Sequence, residues 1–387
     1  MPRTTTTLER QLALRDLTDP AEGPHALQLL VDLAARALAR QMGCELRLVR
    51  GSRVVTVEEN YDRLGFAPEA VTRDARYTRY VDATHMLRSH SSAIVPGALE
   101  ELARRPAPGV LLVCPGICFR RDSIDRLRVS APHQLDLWRI SAVSRLGEED
   151  LEQMIAVLCR TLIPGRPWRT EPRQHPYTLS GRQVDVNWDG EWVEIAECGL
   201  AHPDVLARAG LGPHVSGLAL GMGLDRLLML VKGIPDIRLL RVADERVAGQ
   251  MLDFEPYRPV SSMPPIRRDL SVAVDEDDLA EDLGDRVREA LGDDAELVEE
   301  IAVLSSTPAD ELPAAAAERL GIAPGQVNLL VRVTLRSLER SLEDAEANLL
   351  RDRVFGALHR GRRAMWAAGR PDGEPAQGGA PRGRHVI

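Results

Sequence analysis

The chain has 387 residues, 44% of them hydrophobic and 28% charged, with a formal net charge of −9. That length holds two domains and a sizeable core, and the balance is that of an ordinary soluble protein. No apolar run reaches 18 residues and the N-terminus has no apolar signal core, so no membrane association is expected. Lys232 is the only lysine, which leaves little room for lysine chemistry. The five cysteines include no pair of CxxC motifs, so the sequence argues against a zinc site and for a reducing, cytoplasmic setting.

Residues 1–20 are polar and are expected to form a flexible arm. Residues 24–43 read as a helix with Leu27, Leu30, Val31, Ala34 and Leu38 on one face. Short strands follow at 45–50 and 54–58. The run Met86-Leu87-Arg88-Ser89-His90-Ser91-Ser92 groups hydroxyls and an imidazole, able to bond an ammonium or a carboxylate. Taken singly, each of these is more readily structural. Residues 110–142 read as strand, polar loop, strand, the second strand carrying His133, Gln134 and Asp136. Residues 150–163 read as a helix, and 171–205 carry the carboxylates Glu194 and Glu197.

Residues 215–241 are the most informative. An apolar run ends in Gly221 and Gly223, and a helical pattern then places Leu224, Leu227, Leu228 and Val231 on one face. Gly233 fits the helix C-terminus, with Pro235 two residues beyond. The sequence therefore predicts strand, tight glycine turn, helix. Glycines admit a flat ligand close to the backbone, and Arg226 in the first helical turn suits a phosphate. The dinucleotide fingerprint is one residue short here, because Arg226 stands where its third glycine belongs.

The glycine-x-glycine-x-x-arginine run, continued through Gly233-Ile234-Pro235-Asp236-Ile237-Arg238, resembles motif 3 of class II aminoacyl-tRNA synthetases, and in particular the catalytic chain of phenylalanyl-tRNA synthetases. The 110–142 hairpin resembles motif 2. The resemblance implies that Arg120 and Arg226 are the catalytic arginines. It implies an ATP site of Arg120, Pro132, Gly221, Gly223 and Arg226, and an amino-acid site of His90, Ser92, Gln134, Asp136, His175, Tyr177 and Ala219. Mg²⁺ on the triphosphate would meet Glu194 or Glu197; bonding to neighbouring strands explains either one equally well. The chain departs from the family at several positions. Pro132 replaces the ring that stacks on adenine, Arg128 a loop histidine, and Asp136 a glutamate. His175-Pro176-Tyr177 replaces two phenylalanines that cradle the substrate ring, so the pocket reads as more polar, while Ala219 keeps the small residue below the ring.

Residues 254–263 form a proline-marked linker between a catalytic domain at 21–253 and a second module at 264–361. The latter is expected to contain strands at 267–274, 297–304 and 328–335 and helices at 279–291 and 341–359, interrupted by an insertion at 305–325. That pattern resembles the ferredoxin-like anticodon-binding domain of these synthetases, carried by Pro264-Pro265-Ile266-Arg267-Arg268-Asp269-Leu270. The implied fold class is α+β: a class II synthetase antiparallel-sheet catalytic domain with a C-terminal ferredoxin-like α/β sandwich, as in single-chain organellar enzymes. Residues 362–387 are expected to be a disordered tail, and no transit peptide is expected.

The resemblance implies ATP- and Mg²⁺-dependent activation of phenylalanine, or a related amino acid, and its transfer to tRNA, with no separate beta subunit. Two other readings stand beside it: a synthetase paralogue that aminoacylates a small molecule or carrier protein, and an inactive binding protein. Residues 256–361 hold 12 Arg against 22 Asp and Glu, a net of −10, which opposes contact with phosphates. The positive charge gathers late, at Arg336, Arg340 and Arg353 among others, so the tRNA reading expects a basic stripe there.

Overall fold

The computed structural model describes residues 7–260 and 263–363. The chain divides into two units, the first made of residues 1–120 and 129–260, the second of 121–128 and 261–387. In the first unit the helices are α1 (Thr7–Ala13), α2 (Ala26–Met42), α3 (Val57–Asn60), α4 (Val95–Arg104), α5 (Glu148–Leu162), α6 (Pro203–Arg208), α7 (Leu224–Lys232) and α8 (Glu245–Ala248). The strands are β1 (Glu45–Leu48), β2 (Val54–Thr56), β3 (His85–Leu87), β4 (Gly109–Ile117), β5 (His133–Ser141), β6 (Trp168–Pro172), β7 (Thr178–Trp188), β8 (Glu191–Ala201) and β9 (Ser216–Gly223).

Seven of these strands form one sheet in the order β1-β4-β5-β9-β8-β7-β6. Only the β1–β4 pair is parallel. The fold is thus mixed α+β around a large antiparallel-rich sheet. Strand period two divides β5 into opposite faces. Trp138 and Ile140 share one core cluster with Val110, Leu112, Ala219 and residues of α4 and α6. Helix α2 packs on α5, α7 and β4. The His25 ring caps α2 by accepting from Leu27 N–H, and Gly43 ends it in the left-handed region at φ +56°.

The expectation of a loose arm at 1–20 is corrected from residue 7 onward; residues 1–6 lie outside the described residues. Asp16, Leu17 and Thr18 are buried. Arg53 donates to the carbonyls of Leu12 and Leu14, Asp16 accepts from Ile117 N–H, and Leu17 N–H donates to His133 Nε2. These bonds are long-range, so local polarity gave no sign of them. The single lysine is also structural: buried Lys232 donates to the carbonyls of Asp253 and Glu255 and to the Asp253 carboxylate, holding the segment after α8.

The second unit contains β10 (Ile266–Asp275), α9 (Ala280–Leu291), β11 (Val298–Pro308), α10 (Ala314–Leu320), β12 (Gln326–Leu335) and α11 (Asp344–Leu358). Its antiparallel sheet has the order β10-β12-β11, and α9 and α11 supply Leu283, Val287, Leu291, Leu350 and Val354 to its core. A split βαβ sandwich has a fourth strand beside the first. Among the described residues that edge carries only a rudiment, in which Arg360 N–H donates to Ala273 O. The insertion lengthens β11 to Pro308 and forms α10. The tail expectation is corrected at its start: Arg362 N–H bonds Gly321 O and Arg363 pairs with Glu318, while residues 364–387 lie outside the described residues.

Candidate active site

Three adjacent strands build the site. The cross-strand rows are Gln134–Gly223, then Asp136–Gly221–Glu197, then Trp138–Ala219–Gly199. Partners in register share a face, so Gln134, Asp136, Trp138 and Glu197 surround a strip of glycine and alanine on β9. The expected tight glycine turn is corrected. Strand β9 continues through Gly223 and α7 begins at Leu224, and neither Gly221 nor Gly223 has a positive φ. Glycine is used here to remove side chains. A Cβ on Gly223 would meet nothing within 4 Å, and the nearest atoms to one on Gly221 would be those of the Asp136 carboxylate, at 3.5 Å and beyond.

Arg226 lies in the first turn of α7. Among the described residues its guanidinium has no hydrogen-bond or ion-pair partner. The exposed Glu194 on β8 feels its charge: desolvation and the negative Glu197 raise the Glu194 carboxyl, and Arg226 pulls it down. A helix N-terminus with an uncommitted guanidinium is a phosphate position. Arg120 follows β4; its N–H donates to Ser130 O and its Nε to Ser89 O. Pro132 accepts from Cys118 N–H at the mouth of the same hairpin.

Asp136 is buried. Ser91 Oγ donates to it at 2.5 Å and Trp138 Nε1 at 3.3 Å, and Ser92 adds a third bond. Burial raises its carboxyl, against the pull of these three donors. A carboxylate accepts about four bonds, so one position remains for an ammonium. Gln134 Oε1 accepts from Ser91 N–H, which leaves its amide N–H groups for a ligand. Asn60, fully buried, bonds Ser89 through both ends of its amide and reaches His90 Nε2 at 3.4 Å. His90 Nε2 thus accepts and Nδ1 carries the proton; among the described residues no hydrogen bond meets Nδ1, and the Asn60 backbone also lies against the ring. Burial, then the charge of Arg120, lowers the His90 pKa to about 3, so the ring is a neutral donor.

Rings line the other side. Phe66 stacks on His90 at 5.7 Å, and Tyr177 stands 6.1 Å from Phe66, 6.2 Å from Trp138 and 5.6 Å from His175. Burial raises the Tyr177 phenol strongly, and its hydroxyl bonds Ser92. Glu197 lies 3.1 Å from both Arg173 Nε and His175 Nε2. It is therefore committed on two sides, while Glu194 faces Arg226. Among the described residues no three His, Cys, Asp or Glu gather as a metal site. Mg²⁺ bound on a triphosphate needs only one or two carboxylates, and Glu194 suits that role better than Glu197.

Sequence reasoning missed Asn60, Phe66, Trp138 and Asp225. Trp138 was legible, lying two residues after Asp136 on the same strand face. Asn60 and Phe66 reach the site only through the fold. The three arginines of the second unit correct the expected basic stripe. Arg336 pairs with Glu299, Arg340 with Glu346 and Arg353 with Asp294.

An antiparallel sheet, an arginine after a motif 2 hairpin and a second arginine opening the helix after a glycine strip define a class II synthetase site. The family described as tRNA synthetases class II core domain (F) matches residues 22–251, and the chain belongs to it. Within that class it is similar to phenylalanine–tRNA ligases. Identity with the alpha subunit of Nostoc punctiforme is 31%, over 58% of this chain and 66% of that one. Identity with the chloroplastic/mitochondrial ligase of Arabidopsis thaliana is 29%, over 78% and 68%. Identity with the mitochondrial ligase of Saccharomyces cerevisiae is 26%, over 92% and 91%. The chain thus spans 66% of the length of the Nostoc subunit.

Proposed function

We propose that this protein is a ligase that uses ATP to activate phenylalanine, or a related aromatic amino acid, and transfers it to tRNA. The amino-acid carboxylate attacks the α-phosphorus, a P–O bond forms, and pyrophosphate leaves. A ribose hydroxyl of the acceptor then attacks the acyl carbon, and AMP leaves. Negative charge accumulates on phosphate oxygens in the first step, so fixed cations lower its barrier. Arg120 and Arg226 supply them. Gln134, Asp136 and the His90 Nδ1–H orient the amino acid. Mg²⁺, held against Glu194, would neutralise the triphosphate.

The observation that carries this reading is Arg226 at the head of α7, beside a glycine strip and without a hydrogen-bond or ion-pair partner among the described residues. ATP–pyrophosphate exchange tests it. Arg120→Ala and Arg226→Ala are each expected to slow exchange by about 10²-fold or more. Near-normal exchange in both would overturn the assignment.

The match over 92% of this chain and 91% of the yeast mitochondrial ligase supports action without a separate beta subunit. The proposed setting is cytoplasmic, in keeping with five free cysteines. A second reading concerns the acceptor. The ion-paired arginines and net −10 of the second module favour a small molecule or carrier protein in place of tRNA. Charging of total tRNA from the protein's own host separates the two.

A further inference from the structure

Asp136, Gly221 and Glu197 form one row across three neighbouring strands. Two carboxylates therefore flank a bare glycine, about two strand spacings or 10 Å apart. The Asp136 end is nearly full, with Ser91, Ser92 and Trp138 bonded to it. The Glu197 end is different. Its side chain is 30% exposed, and its one hydrogen bond, from Arg173 Nε, leaves further acceptor positions. The contact with His175, and then the charges of His175 and Arg173, outweigh desolvation and lower its carboxyl, so it is an ionised acceptor.

His175 is held at this end by the chain itself. The segment 175–178 lies on the sheet at Gly199, where a Cβ would stand 2.7 Å from Thr178 Cβ. The His175 side chain is only 8% exposed, and Nδ1 lies 3.2 Å from Thr178 Oγ1. Nε2 is 3.1 Å from Glu197 Oε2, but the approach is out of line for a hydrogen bond, and Nε2 has no other partner among the described residues. Buried polar nitrogens are normally bonded, and an unmet one is costly. An apolar group set against this end would cover an imidazole nitrogen and a carboxylate oxygen and satisfy neither.

We propose that His175 and Glu197 are the side-chain selectivity element of the site, and that the amino acid it activates ends its side chain in a hydrogen-bond donor, a hydroxyl or an amine. This rests on the adenylation reading and deepens it. A donor suits Glu197, which can only accept, and a hydroxyl also supplies an acceptor to the imidazole. The rings of Phe66, Tyr177 and Trp138 suit a flat substrate that carries this donor on its ring.

The test is ATP–pyrophosphate exchange, read as kcat/KM, with phenylalanine, tyrosine, 4-aminophenylalanine and the aliphatic donors homoserine and ornithine. Wild type, His175→Phe and Glu197→Gln are compared; the glutamine keeps the shape of the wall and protects the fold. A site built to bond a substrate group rejects the analogue that lacks it, so at least one donor-bearing amino acid should exceed phenylalanine by about 10-fold or more in the wild type. That ratio should collapse in both variants. A ring donor identifies the aromatic class, and homoserine or ornithine the aliphatic one. Preference for phenylalanine over every donor, or a ratio unmoved by both substitutions, overturns the inference and leaves adenylation standing. Exchange with no amino acid overturns both.

Discussion

Asp225 receives His133 twice: Nδ1 lies 2.8 Å from one carboxylate oxygen, and the backbone N–H bonds the other. His133 opens β5, and Asp225 precedes Arg226 on α7. The pair thus ties the hairpin that carries Gln134 and Asp136 to the helix that carries Arg226. Leu17 N–H and Arg241 meet the opposite nitrogen, Nε2, so the ring is fixed as the Nδ1–H tautomer. Burial would raise the Asp225 carboxyl; the His133 and Arg241 contacts outweigh it and leave it lowered.

Asp225→Asn should therefore damage catalysis without touching substrate. An asparagine has one acceptor oxygen for two donors, and the unmet buried group costs about 1–3 kcal/mol. Displacing a catalytic group by about 1 Å can cost about 10²-fold in rate. The variant is expected to fold with a lowered melting temperature and to lose about 10-fold or more in exchange. Thermal melts and exchange rates check this together, and wild-type values in both would refute the coupling.

Gly223 gives the opposite combination. Its φ is −84° and a Cβ there meets nothing, so Gly223→Ala should change stability by no more than about 0.5 kcal/mol. The added methyl projects from the face expected to receive ATP. The KM for ATP should rise by about 10-fold while the KM for the amino acid stays within about 2-fold. An unchanged ATP KM would place the nucleotide elsewhere.

Part of this site could be read from the sequence. Gln134 and Asp136 come from the resemblance to motif 2, and alternation on β5 then sets them on one face. Gly221 and Gly223 read as a turn ahead of a helix, whereas they end strand β9. Arg226 follows from a helix that starts where the glycines end. Residues that needed the register were not legible. Glu197 faces His175 only because β8 pairs with β9 at Gly221 and because the 175–178 segment crosses Gly199. Asn60 reaches Ser89 across 29 positions. The buried run at 16–18 looked like an arm because its partners, Arg50, Ile117 and His133, lie far along the chain.

Two buried histidines predict how stability responds to acid. Burial lowers the His25 pKa to about 4. His90 is lowered to about 3. Both lie below the unfolded value of about 6.5. As pH falls through 6.5 the unfolded chain takes up protons that the folded chain refuses, so stability is complete above that pH and is lost toward 4. At pH 5, His25 alone should cost about 2 kcal/mol. Melting temperature should therefore drop steadily between pH 7 and pH 5, and His25→Asn should flatten that slope. A flat or rising profile in the parent would contradict the buried neutral state.

The acceptor can be tested through acids that pair with arginines. Arg340 and Arg353 are held by Glu346 and Asp294 in exposed pairs, which contribute little to stability. Reversing the arginines to glutamate would set carboxylates against carboxylates and confuse stability with binding. Glu346→Gln together with Asp294→Asn removes the opposing charge from both guanidinium groups, while Arg353 keeps its bonds to the Ala290 and Leu291 carbonyls, and leaves the fold nearly unchanged. If tRNA is the acceptor, each of the two arginines can reach a phosphate, and log–log binding against salt should steepen by about 0.7–0.9 per contact. Charging at low salt should then rise by about 3-fold or more, with amino-acid adenylation constant. A gain confined to low salt would mark the second module as a phosphate-contacting surface. No charging of host tRNA by the parent or the variant, with normal adenylation, would remove tRNA from the reaction and leave a small molecule or carrier protein as the acceptor.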